Sequence, residues 1–310
     1  MKEIKNGIVF SNDINRILNG YNALDFNYRK KGMIIPQKEL IKDLRQDFYI
    51  TTKNIFDKVT IIDEEELLEI AFNLEDKYLK NLPVVSLDKI YFNSTIFLDC
   101  TRLDGSNELV SRNYPNDFSN VEKQIKIISK YLKDKKQNNI ILADDVVYSG
   151  NVLKRIIDLF KKSDIDVIGI IALIISQTSY ECFKKLPLGI ETGYIMDSKV
   201  IDQICERDFY LGIACSGISI NKNEKIYKAP YIKPFGTPIE RASIPETFEN
   251  SFSKSCIKRS IILWEEIEYL SKRKIYTEEL PEKINNLANG PVVKVLRKEL
   301  NKYDTNRNNG

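Results

Sequence analysis

The 310-residue chain contains no histidine. That absence excludes every device built on an imidazole: Ser-His-Asp triads, Cys-His dyads, HExxH zinc sites and histidine general bases. Any chemistry must rest on carboxylates, Lys, Arg, Tyr, Cys, backbone amides or a hard metal. Cysteine is sparse. Cys100, Cys182, Cys205, Cys215 and Cys256 are scattered, odd in number and never in a CxxC pair. Neither a disulfide framework nor a zinc site is expected, and no side-chain metal ligands are assigned. No apolar run approaches the roughly 20 residues of a membrane-spanning helix. The N-terminal stretch MKEIKNGIVFSNDINR lacks the apolar core and small-residue cleavage site of a signal peptide. The expectation is a cytoplasmic protein without a membrane partner.

An excess of charge is also missing. The formal net charge is +3, too small to mark a nucleic-acid partner by itself. The Lys- and Arg-rich patches at Tyr28–Lys31 and Lys133–Lys136 read as solvated surface. With 43% hydrophobic residues the chain has the material for a soluble core. Its length suits one α/β core with sizeable extensions, or two domains.

Residues 1–88 read as a mostly helical and irregular N-terminal extension. A short strand, Val59–Ile62, precedes an amphipathic helix that begins at Glu64 and continues through Tyr78 and Leu79. Residues 89–245 read as the α/β core. KIYFNSTIFLDC, residues 89–100, is strand-like in its β-branched and aromatic content. After a polar stretch, Ser119 and Glu122 have capping-box spacing. Val121, Ile125, Ile128 and Leu132 then form one helical face. A strand over Ile140–Val147 leads to a helix from about Val152, with Leu153, Ile156, Ile157 and Phe160 on its apolar face. The run Asp166–Ile175 is apolar on both faces, the habit of a parallel sheet. Further strands are expected at Ile190–Ile195 and Tyr210–Cys215. Alternating strands and helices predict a doubly wound, mainly parallel α/β sheet. Residues 246–310 form a C-terminal helical extension. Ile257, Ile261, Trp264, Ile267 and Leu270 make one stripe there, and Gly290-Pro291 breaks before a last helix.

The most informative stretch is ILADDVVYSGNVL, residues 140–152. Two carboxylates, Asp144 and Asp145, adjoin the end of a buried strand. Ligands of open α/β sheets bind beyond such ends. Two carboxylates side by side repel and need compensation, from a metal, a cation or the hydroxyls of a ligand. The Ser149-Gly150-Asn151-Val152 turn enters a helix whose first amides and dipole favour an anion. Gly150 permits an unusual backbone angle. A diol at one end and a phosphate at the other would satisfy both halves, as in a ribose 5-phosphate. An acidic strand end in an unrelated doubly wound domain, with Mg²⁺ on the aspartates, is the competing reading.

This stretch resembles the phosphoribosyl diphosphate (PRPP) motif of type I phosphoribosyltransferases: mostly apolar residues, two acids, two apolar residues, then a Thr/Ser-Gly-x-Thr phosphate loop. The resemblance implies a type I phosphoribosyltransferase-like core and a PRPP or nucleotide ligand. It implies that Asp144 and Asp145 face the ribose hydroxyls and that Tyr148, Ser149, Gly150, Asn151 and Val152 wrap the 5-phosphate. It also implies Mg²⁺ carried mainly by the diphosphate. Transfer to a base would need positioning and charge screening rather than histidine. Two departures stand out. Val152 occupies the usual Thr position, a lost hydroxyl worth roughly 1–2 kcal/mol of phosphate binding. Tyr148 is bulky where the family is often small.

The family's pyrophosphate loop has no clear counterpart. Asp99–Ser106 is the better candidate, with Arg102, and Arg112 from the same excursion, set to neutralise diphosphate. This segment is equally a mobile loop over the site, or a surface hairpin. Around Tyr231, Lys233 and Phe235 a proline-bearing aromatic segment is a candidate for stacking on a base, or a packed connection to the C-terminal helices. Cys215-Ser216-Gly217 is either a ligand-facing turn or a plain one. The catalytic candidates are therefore Asp144, Asp145 and Arg102. Beside transferase activity stand two other classes: a PRPP- or nucleotide-sensing regulatory or defence-system accessory subunit without turnover, and a hydrolase of N-glycosidic or phosphate-ester bonds. The helical extensions would dock a protein partner, and a homodimer is compatible with the chain.

Overall fold

The structure, a computed structural model, describes residues 1–20, 26–79, 81–102, 109–110, 120–223 and 225–305. In chain order the first elements are β1 (Lys2–Ile4), β2 (Gly7–Ser11), α1 (Ile14–Leu18), α2 (Lys38–Lys53), β3 (Val59–Ile62), α3 (Glu64–Leu79), β4 (Val84–Ser86) and β5 (Ile96–Phe97). The middle of the chain forms β6 (Thr101–Arg102), β7 (Leu109–Val110), α4 (Val121–Asp134), β8 (Asn139–Val147), α5 (Asn151–Lys161), β9 (Asp166–Ser176), α6 (Gln177–Phe183) and β10 (Gly189–Met196). The remainder forms β11 (Val200–Cys205), β12 (Ile218–Lys222), β13 (Lys225–Ala229), α7 (Pro238–Ala242), α8 (Glu249–Ser271) and α9 (Val292–Thr305).

Two compact units interleave along the sequence. One comprises Met1–Asn6 and Ile62–Ile201, the other Gly7–Ile61 and Asp202–Gly310. Segment 246–310 falls within the second unit, while 1–88 and 89–245 are each shared between the two.

The first unit is built on a six-stranded sheet of order β1-β10-β9-β8-β4-β5. Every pairing in it is parallel. Helices cover both faces. On one, Ile140, Leu142, Ile170 and Ala172 pack with Val121, Ile125 and Leu132 of α4 and Leu153, Ile156 and Phe160 of α5. On the other, a Cβ built on Gly193 would meet Ile70 of α3 at 2.6 Å, so glycine lets α3 lie close against β10. The α/β class, the parallel sheet and the strands at 140–147, 166–175 and 190–195 agree with the sequence reading.

Three local expectations are corrected. Residues 89–100 are not one strand: only Ile96–Phe97 pairs. The buried Asp88 carboxylate accepts from the amides of Ile90 at 3.1 Å, Tyr91 at 2.6 Å and Phe92 at 3.3 Å. That bends the backbone out of the extended form. The helix after it is capped by Asn120, whose side chain accepts from the amides of Glu122 and Lys123; Ser119 lies outside the described residues. The N-terminal 88 residues also carry strands β1, β2 and β4, which the helical reading did not anticipate.

The second unit has a three-stranded sheet, β11-β2-β3, and a β12–β13 hairpin beside its helices. Phe48 and Phe209 lie with ring centroids 5.2 Å apart, and Phe10 and Phe252 pack edge-on around them. Here Tyr210–Cys215 is a buried turn rather than the expected strand. Side chains take its backbone groups: Ser260 accepts from the Leu211 amide at 3.0 Å, Trp264 donates to the Leu211 carbonyl at 2.7 Å, and Tyr28 accepts from the Ala214 amide at 2.8 Å. Side-chain partners replace a ladder, so an apolar run can be buried without being a strand.

A candidate ligand crevice at the end of β8

The order of strands reverses between β4 and β8. From β4 the chain moves outward to β5; it then returns to the other side of β4 and proceeds β8, β9, β10. This reversal is the topological switch point, where open parallel sheets leave a crevice beyond the strand ends. β8 also outruns its neighbour. Pairing with β4 ends at Ala143, whose carbonyl accepts from the Leu87 amide at 2.8 Å, while pairing with β9 continues to Val147. The four residues Asp144–Val147 thus extend about 13 Å past the last β4 pairing.

Asp144 pairs in register with Ala172, so Asp145 falls level with Leu173. Side chains alternate along a strand. Asp144 and Asp145, as successive residues of the strand, point to opposite sides of it, between Leu142 and Val147, which both pack in the α4/α5 core. Both are half-buried. Each carboxylate accepts the next backbone amide: Asp145 N–H to Asp144 Oδ1 at 3.1 Å, and Val146 N–H to Asp145 Oδ1 at 2.8 Å.

The turn after β8 is held from below by α6. Tyr148's carbonyl accepts from the hydroxyls of Ser176 and Ser179, the latter at 2.6 Å. Gly150 is buried at φ +69, in the left-handed region, and caps α5 without a side-chain hydrogen bond. Tyr148, Ser149 and Asn151 are exposed, and the Asn151 amide reaches Ser149 Oγ at 3.5 Å. Gly150 has no side chain to cap α5, and the amides of the first turn after Asn151 have no side-chain acceptor among the described residues, which leaves them available to an anion. Val152 is half-buried and packs against the core of the first unit. Lys154 lies 5.9 Å from the centre of the Phe183 ring, which places a cation in the same first turn.

Arg102 belongs to a two-residue antiparallel ladder, Thr101↔Val110 and Arg102↔Leu109; its side chain and all of Arg112 lie outside the described part. Asp99, just before it, is tied to α4: Gln124 accepts from its amide at 3.0 Å and donates to its carbonyl at 2.9 Å. Tyr231 and Phe235 belong to the second unit, and residues 144–152 to the first. Phe235 is fully buried, a core position rather than an open stacking surface. Tyr231 is half-buried, edge-on to Phe209 at 6.4 Å. Cys215-Ser216-Gly217 is a stitched turn: Glu282 accepts from the Cys215 amide at 3.1 Å, and Asp208 accepts from the Gly217 amide at 2.7 Å.

Sequence reasoning missed Ser176, Ser179 and Phe183, which support the turn from another element, and Asp88 and Glu75, which shape the chain leaving β4. Glu75 of α3 accepts from the Asn93 amide at 2.9 Å. Burial pushes its carboxyl above the ordinary Glu range, against the lowering effect of the Asn93 and Ser94 amides.

Among the described residues no group of three or more Cys, Asp or Glu is arranged to hold a metal. Comparison of the chain with protein-family models, with curated proteins and with solved structures finds no match in any of the three.

Proposed function

We propose that the crevice at the end of β8 binds PRPP or another ribose 5-phosphate ligand, and that the chain transfers the phosphoribosyl group to a base. The observation that carries this reading is the coincidence of Asp144–Val152 with the switch point of a parallel sheet. There the uncapped first turn of α5 suits a phosphate, and the strand-end carboxylate on the same face suits ribose hydroxyls. In the transfer, a base nitrogen bonds to the ribose C1 as the C1–oxygen bond to diphosphate breaks. Magnesium, if it came in on the diphosphate, would supply charge screening. The protein's part is to hold the ribose and to place the positive charge developing at C1 near Asp144.

One observation favours a second reading, a PRPP or nucleotide sensor without turnover. Val152 offers the phosphate no hydroxyl; its side chain is half-buried and packs against the core. Two measurements separate the readings. Under transfer, Mg-PRPP raises Tm and some member of a purine and pyrimidine panel releases diphosphate. Stabilisation with no diphosphate from any base leaves the sensor. Neither Mg-PRPP nor ribose 5-phosphate raising Tm would remove both.

A further inference from the structure

In the second unit, α8 and α9 enclose a groove of about 1380 Å³. Its lining carries six cationic side chains against two acidic ones. The acids are already neutralised: Glu265 by Arg297, and Glu268 by Lys274 at 2.7 Å. Arg273 pairs outside the lining with Glu279, at 2.7 Å. Lys272, Lys294 and Lys298 have no ion-pair partner among the described residues, and all three are exposed. Lys294 and Lys298 are four residues apart on α9, hence on one helical face about 6 Å apart along its axis. Lys272 caps the end of α8 in the left-handed conformation, φ +54. Within the same lining Tyr269 is 77% exposed.

Spare cations and an open aromatic ring in one groove are the two components that bind a single nucleic-acid strand. The cations track phosphates, and the ring stacks on an unpaired base. A duplex hides its base faces and would leave Tyr269 unused. An acidic peptide would use the lysines without needing the ring. We propose that the α8/α9 groove binds single-stranded nucleic acid, with phosphates on Lys272, Lys294 and Lys298 and a base on Tyr269. This is independent of the crevice at the end of β8. The cations are dispersed in sequence, at 272–274 and 294–298, and converge only through the packing of α8 on α9.

The test is fluorescence anisotropy of the full chain with labelled oligo(dT) and oligo(rA) of about 12 nucleotides, across roughly 50–200 mM KCl. Three released counterions predict a slope of log Kd against log salt of about 2. Reversing Lys272, Lys294 and Lys298 to Glu should weaken binding at least tenfold. Should that variant lose its cooperative melt, the triple Gln variant should show the same loss. Tyr269→Ala should weaken binding about fivefold or more with the salt slope unchanged. Reversal of Lys133, Lys135 and Lys136 should leave Kd unchanged. Absence of binding at the lowest salt would overturn the proposal. So would a Tyr269→Ala variant equal to wild type with polyglutamate competing as well as oligonucleotide, which would mark an acidic-peptide surface.

Discussion

Gly150 lies so close to Phe183 that a Cβ on the glycine would stand 2.8 Å from the ring. The contact joins the turn after β8 to α6, and φ +69 adds a second demand for glycine. Gly150→Ala meets both costs: about 1–2 kcal/mol for the left-handed backbone and about 1–3 kcal/mol for overpacking. Ser149→Ala, one residue earlier and exposed, should change stability by no more than about 0.5 kcal/mol. Denaturant melts of the two variants check the contrast. If Gly150→Ala is as stable as wild type, the turn does not depend on this glycine.

The two aspartates should not behave alike. Asp144 lies two residues beyond Leu142 of the core on which α5 packs, so alternation sets it toward the candidate phosphate site at the start of α5. Asp145, the next residue, then points to the other side of the strand. A ligand anchored on α5 reaches Asp144 first. Loss of a hydrogen bond to a charged group costs about 1.5–3 kcal/mol. Asp144→Asn should thus raise the Kd for Mg-PRPP by roughly 10- to 100-fold, and Asp145→Asn by clearly less. Titration calorimetry on both variants measures this; equal losses would contradict the placement of the ligand on the α5 face.

Val152 offers a gain-of-function test. Its side chain packs against the core but is only half-buried, so a hydroxyl there has access to a ligand phosphate. Val152→Thr should tighten Mg-PRPP binding by about 1–2 kcal/mol while costing some stability, because a hydroxyl replaces a packed methyl. The two effects are read separately, by calorimetry and by Tm. Lower Tm with unchanged Kd would mean that residue 152 does not face the phosphate.

The strand, turn and helix of residues 139–161 were legible because each signal there is local. The apolar run, the glycine and the helical spacing of Leu153, Ile156 and Phe160 all lie within one segment. β1 was not legible: its three residues are Lys2, Glu3 and Ile4, and their strand form rests on register with Tyr194–Met196. Residues 89–93 misled in the opposite direction. Ile90, Tyr91 and Phe92 are good strand formers, but Asp88 gathers their amides and curls the chain. The switch point between β4 and β8 could not be read at all, since strand order is a property of the assembled sheet. Phe235 shows the same limit for the site, because an aromatic residue in a proline-bearing segment looks alike whether it is open or fully buried.

Glu75 supplies a prediction in pH. It is 2% exposed; one carboxylate oxygen accepts from the Asn93 amide, and the other, Oε1, has no hydrogen-bond partner. Burial raises its pKa above the ordinary Glu value. The folded state therefore holds this proton more tightly than the unfolded state does. The stability linked to the group is fully present below the unfolded pKa and is lost as pH rises through the raised folded pKa. Glu75→Gln keeps an acceptor for Asn93 and removes the titration. Wild-type Tm should fall relative to Glu75→Gln as pH rises through and above the ordinary Glu range, and the gap should then level off once Glu75 is ionised in both states. Because Asn93 ends the stretch shaped by Asp88, the same substitution should leave the far-ultraviolet spectrum unchanged. A Tm difference constant across the pH range would mean that Glu75 has the same pKa folded and unfolded, and that the amides of Asn93 and Ser94 offset its burial completely.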